Sequence, residues 1–285
     1  MLIDDKYTPD PYKLFSVSDP KPRRIHKASV RDRVLHQAVY RVLYQIFDPT
    51  FIFDSYSCRK KKGTHRAVCR LERFARKASR NFRKPVFVLQ CDIRKFFDSV
   101  DQNVLLDLLR RRISCPETLR ILEQIINSFE TVPGKGLPLG NVTSQIFANI
   151  YLSELDQFVR HQFRTKYYLR YCDDFLFVDQ SSEVLKKLIL PLRSFLNSQL
   201  KLDLHDDKII IRKFRQGIDY LGYVTRPYYR VLRTRTKWRI LRRAEEGGVN
   251  DQPLCFYLGI LSHCRSREIQ NMLICLWSGQ SRSRL

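Results

Sequence analysis

The stretch YLRYCDDFLFV, residues 168–178, sets Asp173 and Asp174 side by side inside an apolar, aromatic segment. No other feature constrains the fold as much, because a carboxylate taken out of water is costly unless it is paired, hydrogen-bonded or beside a cation. Alone, the segment reads as a hairpin, with YLRY and FLFV as strands and the acids in the turn. A third acid, Asp92, lies at the end of PVFVLQCDI (85–93), a near-continuous apolar run after a proline that marks a buried strand. If these strands are neighbours in one sheet, three carboxylates converge at its end. Such a cluster repels itself and stays partly protonated without a cation. Oxygen-only ligands suit magnesium or manganese rather than zinc. Two such ions, ~4 Å apart, can clamp a phosphoryl group for in-line displacement.

The charge balance points to a polyanionic partner. Lys and Arg number 52 against 29 Asp and Glu, a formal net of +23. Twelve basic residues and one acid (Glu72) lie between Arg59 and Lys84, and eight with no acid between Arg226 and Arg243. Phe74, Phe82, Tyr228, Tyr229 and Trp238 fall among them as flat surfaces on which bases could stack. A nucleic-acid channel accounts for this better than solvated helix faces. The eight cysteines form no CxxC pair, so free, mostly core thiols in a reducing compartment are expected. The opening residues MLIDDKYTPD do not read as a signal peptide, and no apolar run approaches the ~20 residues of a membrane span. A soluble, cytoplasmic protein with no membrane partner is the expectation.

Periodicity predicts a helix over 30–47 with Val34, Leu35, Ala38, Val39, Val42, Leu43 and Ile46 inward, and another over His65–Ser79. A helix over 99–112 carries Ser99 and Gln102 in capping-box spacing. GKGLPLGNVTSQ (134–145) is a loop feeding a helix whose core face holds Ile146, Phe147, Ile150, Leu155, Phe158 and Val159, with Gln145 and Asn149 on a polar face. A helix near 182–199 carries Pro191, KIIIRKF (208–214) and YLGYV (220–224) read as strands, and the last 50-odd residues read as basic helices. The order is helical and basic, mixed α/β, then helical and basic again.

Several blocks resemble successive motifs of reverse transcriptases in order and separation: QCDIRKFFDSV, GLPLGNVTSQIFANIYL, YCDDFLFV, KIII and YLGY. DPKPRRIHKASVRDRVLHQAV and FIFDSYSCRKKKGTHRAV resemble the fingers motifs. The resemblance covers about residues 15–225. It implies an α/β (α+β) right-hand polymerase: basic fingers over 1–84, a palm over 85–225 with part of the fingers inserted between motifs A and B, and a basic helical thumb over 226–285. Within the family the chain is most similar to the enzymes of diversity-generating retroelements of bacteria and phages. Leu139, Gly140, Ser144 and Gln145 carry that pattern, where retroviral and group II intron enzymes have Gln before the glycine. The resemblance implies copying of template RNA into cDNA with errors opposite adenines, and a small basic accessory protein. A retron-, defence- or group II-like enzyme is the alternative, and a non-catalytic RNA-binding scaffold the further one.

Carried over position by position, the resemblance gives Asp92 and Asp173 two Mg2+ ions (or Mn2+), with Asp174 completing the cluster and the Ile93 carbonyl meeting one metal. Phe97 matches the aromatic gate against a ribose 2′-hydroxyl, with core packing as its plainer reading. Arg23 matches the arginine that contacts the incoming dNTP, with Lys21, Arg24 and Lys27 nearby; contact with the template backbone is the alternative. Leu139, Gly140 and Gln145 would border the nascent pair. Cys172 fills the variable place of its tetrapeptide. Lys208 matches a general acid for pyrophosphate, or is a surface lysine beside Asp206 and Asp207. Tyr220, Leu221, Gly222 and Tyr223 resemble the grip on the primer strand, where Gly222 admits close backbone approach.

Overall fold

The computed structural model describes residues 7–18, 22–245 and 251–277. A hairpin of β1 (Lys13–Val17) and β2 (Arg23–Lys27) leads into α1 (Val30–Phe47) and α2 (Thr64–Ala78). Next come β3 (Phe87–Asp92), the single turn α3 (Phe96–Ser99), α4 (Gln102–Arg110), α5 (Pro116–Asn127) and α6 (Val142–Phe158). The hairpin β4 (Tyr168–Tyr171) and β5 (Asp174–Asp179) precedes α7 (Ser182–Leu200) and β6 (Ile210–Lys213). A meander of β7 (Ile218–Tyr220), β8 (Tyr223–Arg226) and β9 (Tyr229–Leu232) leads to α8 (Thr234–Glu245), α9 (Asp251–Leu261) and α10 (Arg267–Trp277).

The centre is an antiparallel sheet in the order β4-β5-β3-β6. Strand alternation sends successive side chains to opposite faces, and here both faces are covered. Leu89, Cys91, Phe175 and Phe177 enter one core with α1, α4, α5, α6 and α7. Val88, Leu169, Leu176 and Val178 enter a second core with α2, the β7–β9 meander and the C-terminal helices. Double burial explains why β3 and β5 read as unbroken apolar runs rather than alternating ones. Gln90, the polar exception, donates to Asp219 O at 3.0 Å and ties the meander to the sheet.

A wholly buried ion pair lies under the β4–β5 hairpin. The Arg170 guanidinium forks onto Asp156 of α6, Nε to Oδ1 at 2.8 Å and Nη2 to Oδ2 at 2.7 Å. Tyr168 donates to the same carboxylate at 2.8 Å. Burial opposes the Arg170 charge, but the field and hydrogen bonds of Asp156 outweigh it and raise the Arg170 pKa. Segment 54–56 closes the edge of β4, with Arg170 N donating to Asp54 O and Tyr56 N to Arg170 O.

Several expectations are corrected. Helix α1 has the expected bounds, but Val34, Val42 and Ile46 face outward, and Asp32, His36, Leu43 and Phe47 are its buried residues. Asp32 tolerates burial because Tyr7 Oη and Asp10 N donate to its carboxylate. Helix α4 begins on Asp101, which accepts from Val104 N, and Ser99 instead closes α3. Gln102 is buried and donates to the carbonyls of Ile126, Phe129 and Gly136, so no capping box forms. Asn149 is also buried, donating to Ser57 O, while Gln145 stays exposed on α6. YLGYV is a hairpin, not one strand, because Leu221 and Gly222 turn with φ of 50° and 90°. That pair of positive angles is the two-residue turn that matches strand twist. Phe74 and Phe82 are core residues, leaving Tyr228, Tyr229 and Trp238 as the exposed aromatics of the basic stretches. Only Cys91 is a buried thiol, five cysteines being exposed.

Removing one partner of the buried pair leaves the other charged and unpaired. Asp156→Ala is expected to cost about 3–5 kcal/mol in urea unfolding, and Arg170→Met with Asp156→Leu to recover most of that loss. An Asp156→Ala loss below about 1 kcal/mol would show that the pair does not hold the hairpin to α6.

Candidate active site

Strand register brings the acids together. Asp92 is the last residue of β3 and lies directly opposite Asp174, the first of β5. Cβ atoms of such partners stand about 4.5–5.5 Å apart, a destabilising distance for like charges. Asp173 belongs to the two-residue turn between Tyr171 and Asp174, where Cys172 takes a φ of 56°. Arg170 Nη1 donates to the Cys172 carbonyl at 3.1 Å, so the buried ion pair also fixes this turn. Arg170 is a positioning residue that the sequence reading passed over. Its signal was present: a lone Arg in an apolar strand, two residues before the turn.

The electrostatics follow from this crowding. Burial raises the Asp173 pKa, and the Asp92 charge adds to it. Burial also pushes Asp174 up to about 7, with the Asp173 and Asp92 charges adding to it. Lys208 Nζ lies 2.8 Å from Asp92 Oδ1. A cluster that balances itself with a raised proton affinity and one ammonium can accept a hard cation through oxygen alone. Among the described residues no three His, Cys, Asp or Glu side chains are already gathered into a metal cage. Asp174 also shares a side-chain hydrogen bond with Asp92, so a cation here would compete with that proton and with the Lys208 ammonium for the carboxylate oxygens. The hydrogen bonds bracketing Ile93, from Arg94 N to Asp203 O and from His205 N to Asp92 O, leave the Ile93 carbonyl without a backbone donor among the described residues.

A cleft of about 1180 Å³ opens on this corner, lined by Asp173 and Asp174, by Arg23 and Arg24 of β2, and by Phe97, Leu139 and Leu221. Loop 134–141 holds its parts together. Gly136 N donates to Val100 O and Leu137 N to Phe97 O on one side, and His26 N donates to Leu139 O on the other. Gly140 has a φ of 113°, and a Cβ there would lie 2.7 Å from Ile25 Cγ2, so the close approach of this loop to β2 needs glycine. His26, which no sequence pattern singles out, lines the cleft with a buried Nδ1 that has no hydrogen-bond partner among the described residues.

Other expected residues lie apart from the cleft wall. Lys27 pairs opposite Lys13 in the β1–β2 hairpin, and Gln145 is exposed on α6. Tyr220 and Tyr223 are buried; Tyr223 Oη donates to Ile260 O at 3.0 Å, while Tyr220 Oη has no hydrogen-bond partner among the described residues. Gly222 sits at the β7–β8 turn beside Leu221. Lys21 lies outside the described residues.

Residues 18–225 match the reverse transcriptase (RNA-dependent DNA polymerase) family. Protein YkfC of Escherichia coli is 25% identical over 281 residues, covering 85% of this chain and 72% of YkfC. The group II intron-encoded protein LtrA of Lactococcus lactis is 21% identical over 294 residues, covering 78% of this chain and 48% of LtrA. Among solved structures, Candida albicans telomerase in complex with a fragment of telomeric RNA superposes with a TM-score of 0.57 at 13% identity, over 97% of this chain and 56% of that one. Apo telomerase of Candida tropicalis gives 0.58 at 13% identity, over 93% and 57%. The chain thus spans about half the length of LtrA and of the telomerases, and shares the right-hand polymerase fold with the latter. No helix among the described residues is long and apolar enough to cross a membrane. With its central sheet, acid corner and ordered motifs, the chain belongs to the reverse transcriptase family of RNA-directed DNA polymerases.

Proposed function

We propose that this chain copies a template RNA into cDNA, adding dNTPs to a primer 3′-hydroxyl at the corner formed by Asp92, Asp173 and Asp174. The carrying observation is that Asp173 and Asp174, with Asp92 facing Asp174 across the strands, border the same cleft as Arg23 and Arg24. Asp92 and Asp173 would hold two Mg2+ ions, with Mn2+ as a substitute, and Asp174 and the Ile93 carbonyl would complete the ligands. Such ions supply charge neutralisation and activation of the attacking oxygen in phosphoryl transfer. Arg23 and Arg24 orient the triphosphate through forked hydrogen bonds. Phe97 closes the floor against a 2′-hydroxyl, and Lys208, once released from Asp92, stands ready to give a proton to the leaving pyrophosphate. Leu221 and Gly222 present a tight turn to the primer backbone. In this reading residues 1–84 act as fingers, 85–225 as palm and 226–285 as thumb, although β9 carries the meander a few residues past 225.

For the product, we propose mutated cDNA of a diversity-generating retroelement, made with a small basic accessory protein. Leu139 borders the cleft with no side-chain amide to brace the nascent pair, which loosens geometric selection. A group II intron-like enzyme is the second reading, favoured by the similarity to LtrA.

Magnesium-dependent extension of a primer on RNA should vanish in Asp173→Ala, and extension that survives would remove Asp173 from the chemistry. Sequenced wild-type products should carry errors concentrated opposite adenine, and Leu139→Gln should reduce them. An error spectrum with no adenine bias would favour the group II-like reading.

Stability should show the acid crowding as well. Because the Asp174 pKa is raised from 3.8 to about 7 by folding, the folded chain binds a proton that the unfolded chain releases. The stability tied to this group is complete below its unfolded pKa and is lost as pH rises through about 7. Asp174→Asn should therefore raise the melting midpoint in EDTA at pH 8 by about 2–6 °C, with the gain fading near pH 4. An equal gain at both pH values would rule out carboxylate repulsion as its cause.

A further inference from the structure

A second basic surface lies at the far end of the central sheet. Strand β3 runs from the acid corner at Asp92 to Phe87, whose partners are Asp179 and Lys213. Five residue steps separate these ends, about 17 Å of strand. Beyond Phe87 are two adjoining hollows of about 250 and 300 Å³ that share Phe82, Arg215 and Pro227. Arg83, Lys84, Lys213, Arg215 and Arg226 rim them, and none of the five pairs with a carboxylate among the described residues. With no carboxylate in the lining of either hollow, these five cations would repel one another without a polyanion to meet them.

The floor is aromatic. Phe82 stacks on Phe214 with ring centroids 5.6 Å apart, and Tyr228 meets Phe82 edge-on at 5.1 Å. Tyr228 is 74% exposed. It occupies the second corner of the turn between β8 and β9, after Pro227, with a φ of 67°. Proline followed by positive φ is the pattern of a type II turn, whose second corner favours glycine. The tyrosine here donates from Oη to Asn81 O at 3.3 Å, which pins its ring beside Phe82 while most of the side chain stays exposed. It presents a flat face beside guanidinium groups, which suits a nucleobase and its flanking phosphates.

We propose that this surface is a second nucleic-acid site, which holds single-stranded RNA away from the acid corner. One base stacks on Tyr228 over the Phe82 floor, and the neighbouring phosphates lie on Lys213, Arg215 and the rest of the rim. The choice of RNA over other polyanions rests on the reverse transcriptase reading. Its place on the molecule rests on the surface alone.

The test uses the full chain, saturated with a short preannealed primer–template so that the cleft is filled, and a fluorescent single-stranded RNA of about ten nucleotides. By anisotropy, Lys213→Glu with Arg215→Glu should weaken binding at least tenfold and flatten the slope of log affinity against log salt by about 1.4. Tyr228→Ala should weaken it roughly five- to tenfold. Extension of the short duplex by the charge-reversed variant should stay at the wild-type rate. Wild-type affinity in both variants would overturn the proposal, as would loss of duplex extension in parallel with RNA binding, which would assign the surface to the polymerase track. Displacement of the RNA by poly-glutamate at equal charge would overturn it in favour of an acidic protein partner. Anisotropy needs no turnover, so an inactive polymerase and an absent RNA site give different results.

Discussion

Two aspartates facing each other across adjacent strands set the terms for the structure around them. Asp92 and Asp174 are register partners, and Asp173 hangs from the turn beside them. A sheet end of this kind repels itself, and a free hairpin would relieve the strain by fraying or slipping. Here neither route is open. Phe175 and Phe177 are locked into one core and Leu176 and Val178 into the other, so a slip of one residue would exchange the two sets. The Arg170–Asp156 pair holds the outer strand from below. The repulsion is retained because everything beneath it resists release, so the raised proton affinity of Asp173 and Asp174 is built into the fold.

The cleft shows the same economy. Loop 134–141 has no regular structure, yet its backbone donates to Val100 and Phe97 on one side and accepts from His26 on the other. Those few hydrogen bonds set the distance between the β2 arginines and the acid corner. Arg23 and Arg24 are exposed on a two-stranded hairpin, so their position depends on this loop more than on their own packing.

What could be read from the sequence was whatever had a short period or an isolated chemical oddity. The acid hairpin, the buried β3 run and the bounds of α1 lie in that class. The orientation of α1 did not, because its apolar side chains outnumber those the core can take, and buried Asp32 and His36 mark the true inner face. Helix α6 is buried on nearly every side, so no stripe singles out its faces, and the spacing of Gln145 and Asn149 suggests a polar face that Asn149 does not share. The YLGY turn leaves little trace in the sequence because its strands are only three and four residues long. At the site, the three carboxylates were legible as misplaced charges. His26 was not, and Arg170 showed only as a lone charge in an apolar strand, since their partners lie more than 100 and 14 residues away.

The two-faced sheet has a consequence for how such a chain can change over generations. Odd and even positions along β3 and β5 answer to separate interiors, one containing α4 to α7 and the other α2 with the C-terminal helices. Substitutions that reshape the second interior, and with it the basic outer surfaces it supports, need not disturb the residues that aim the aspartates. A lineage could therefore retune which nucleic acid it recognises while its chemistry stays fixed, because inheritance acts on the two sides of the same strands almost independently.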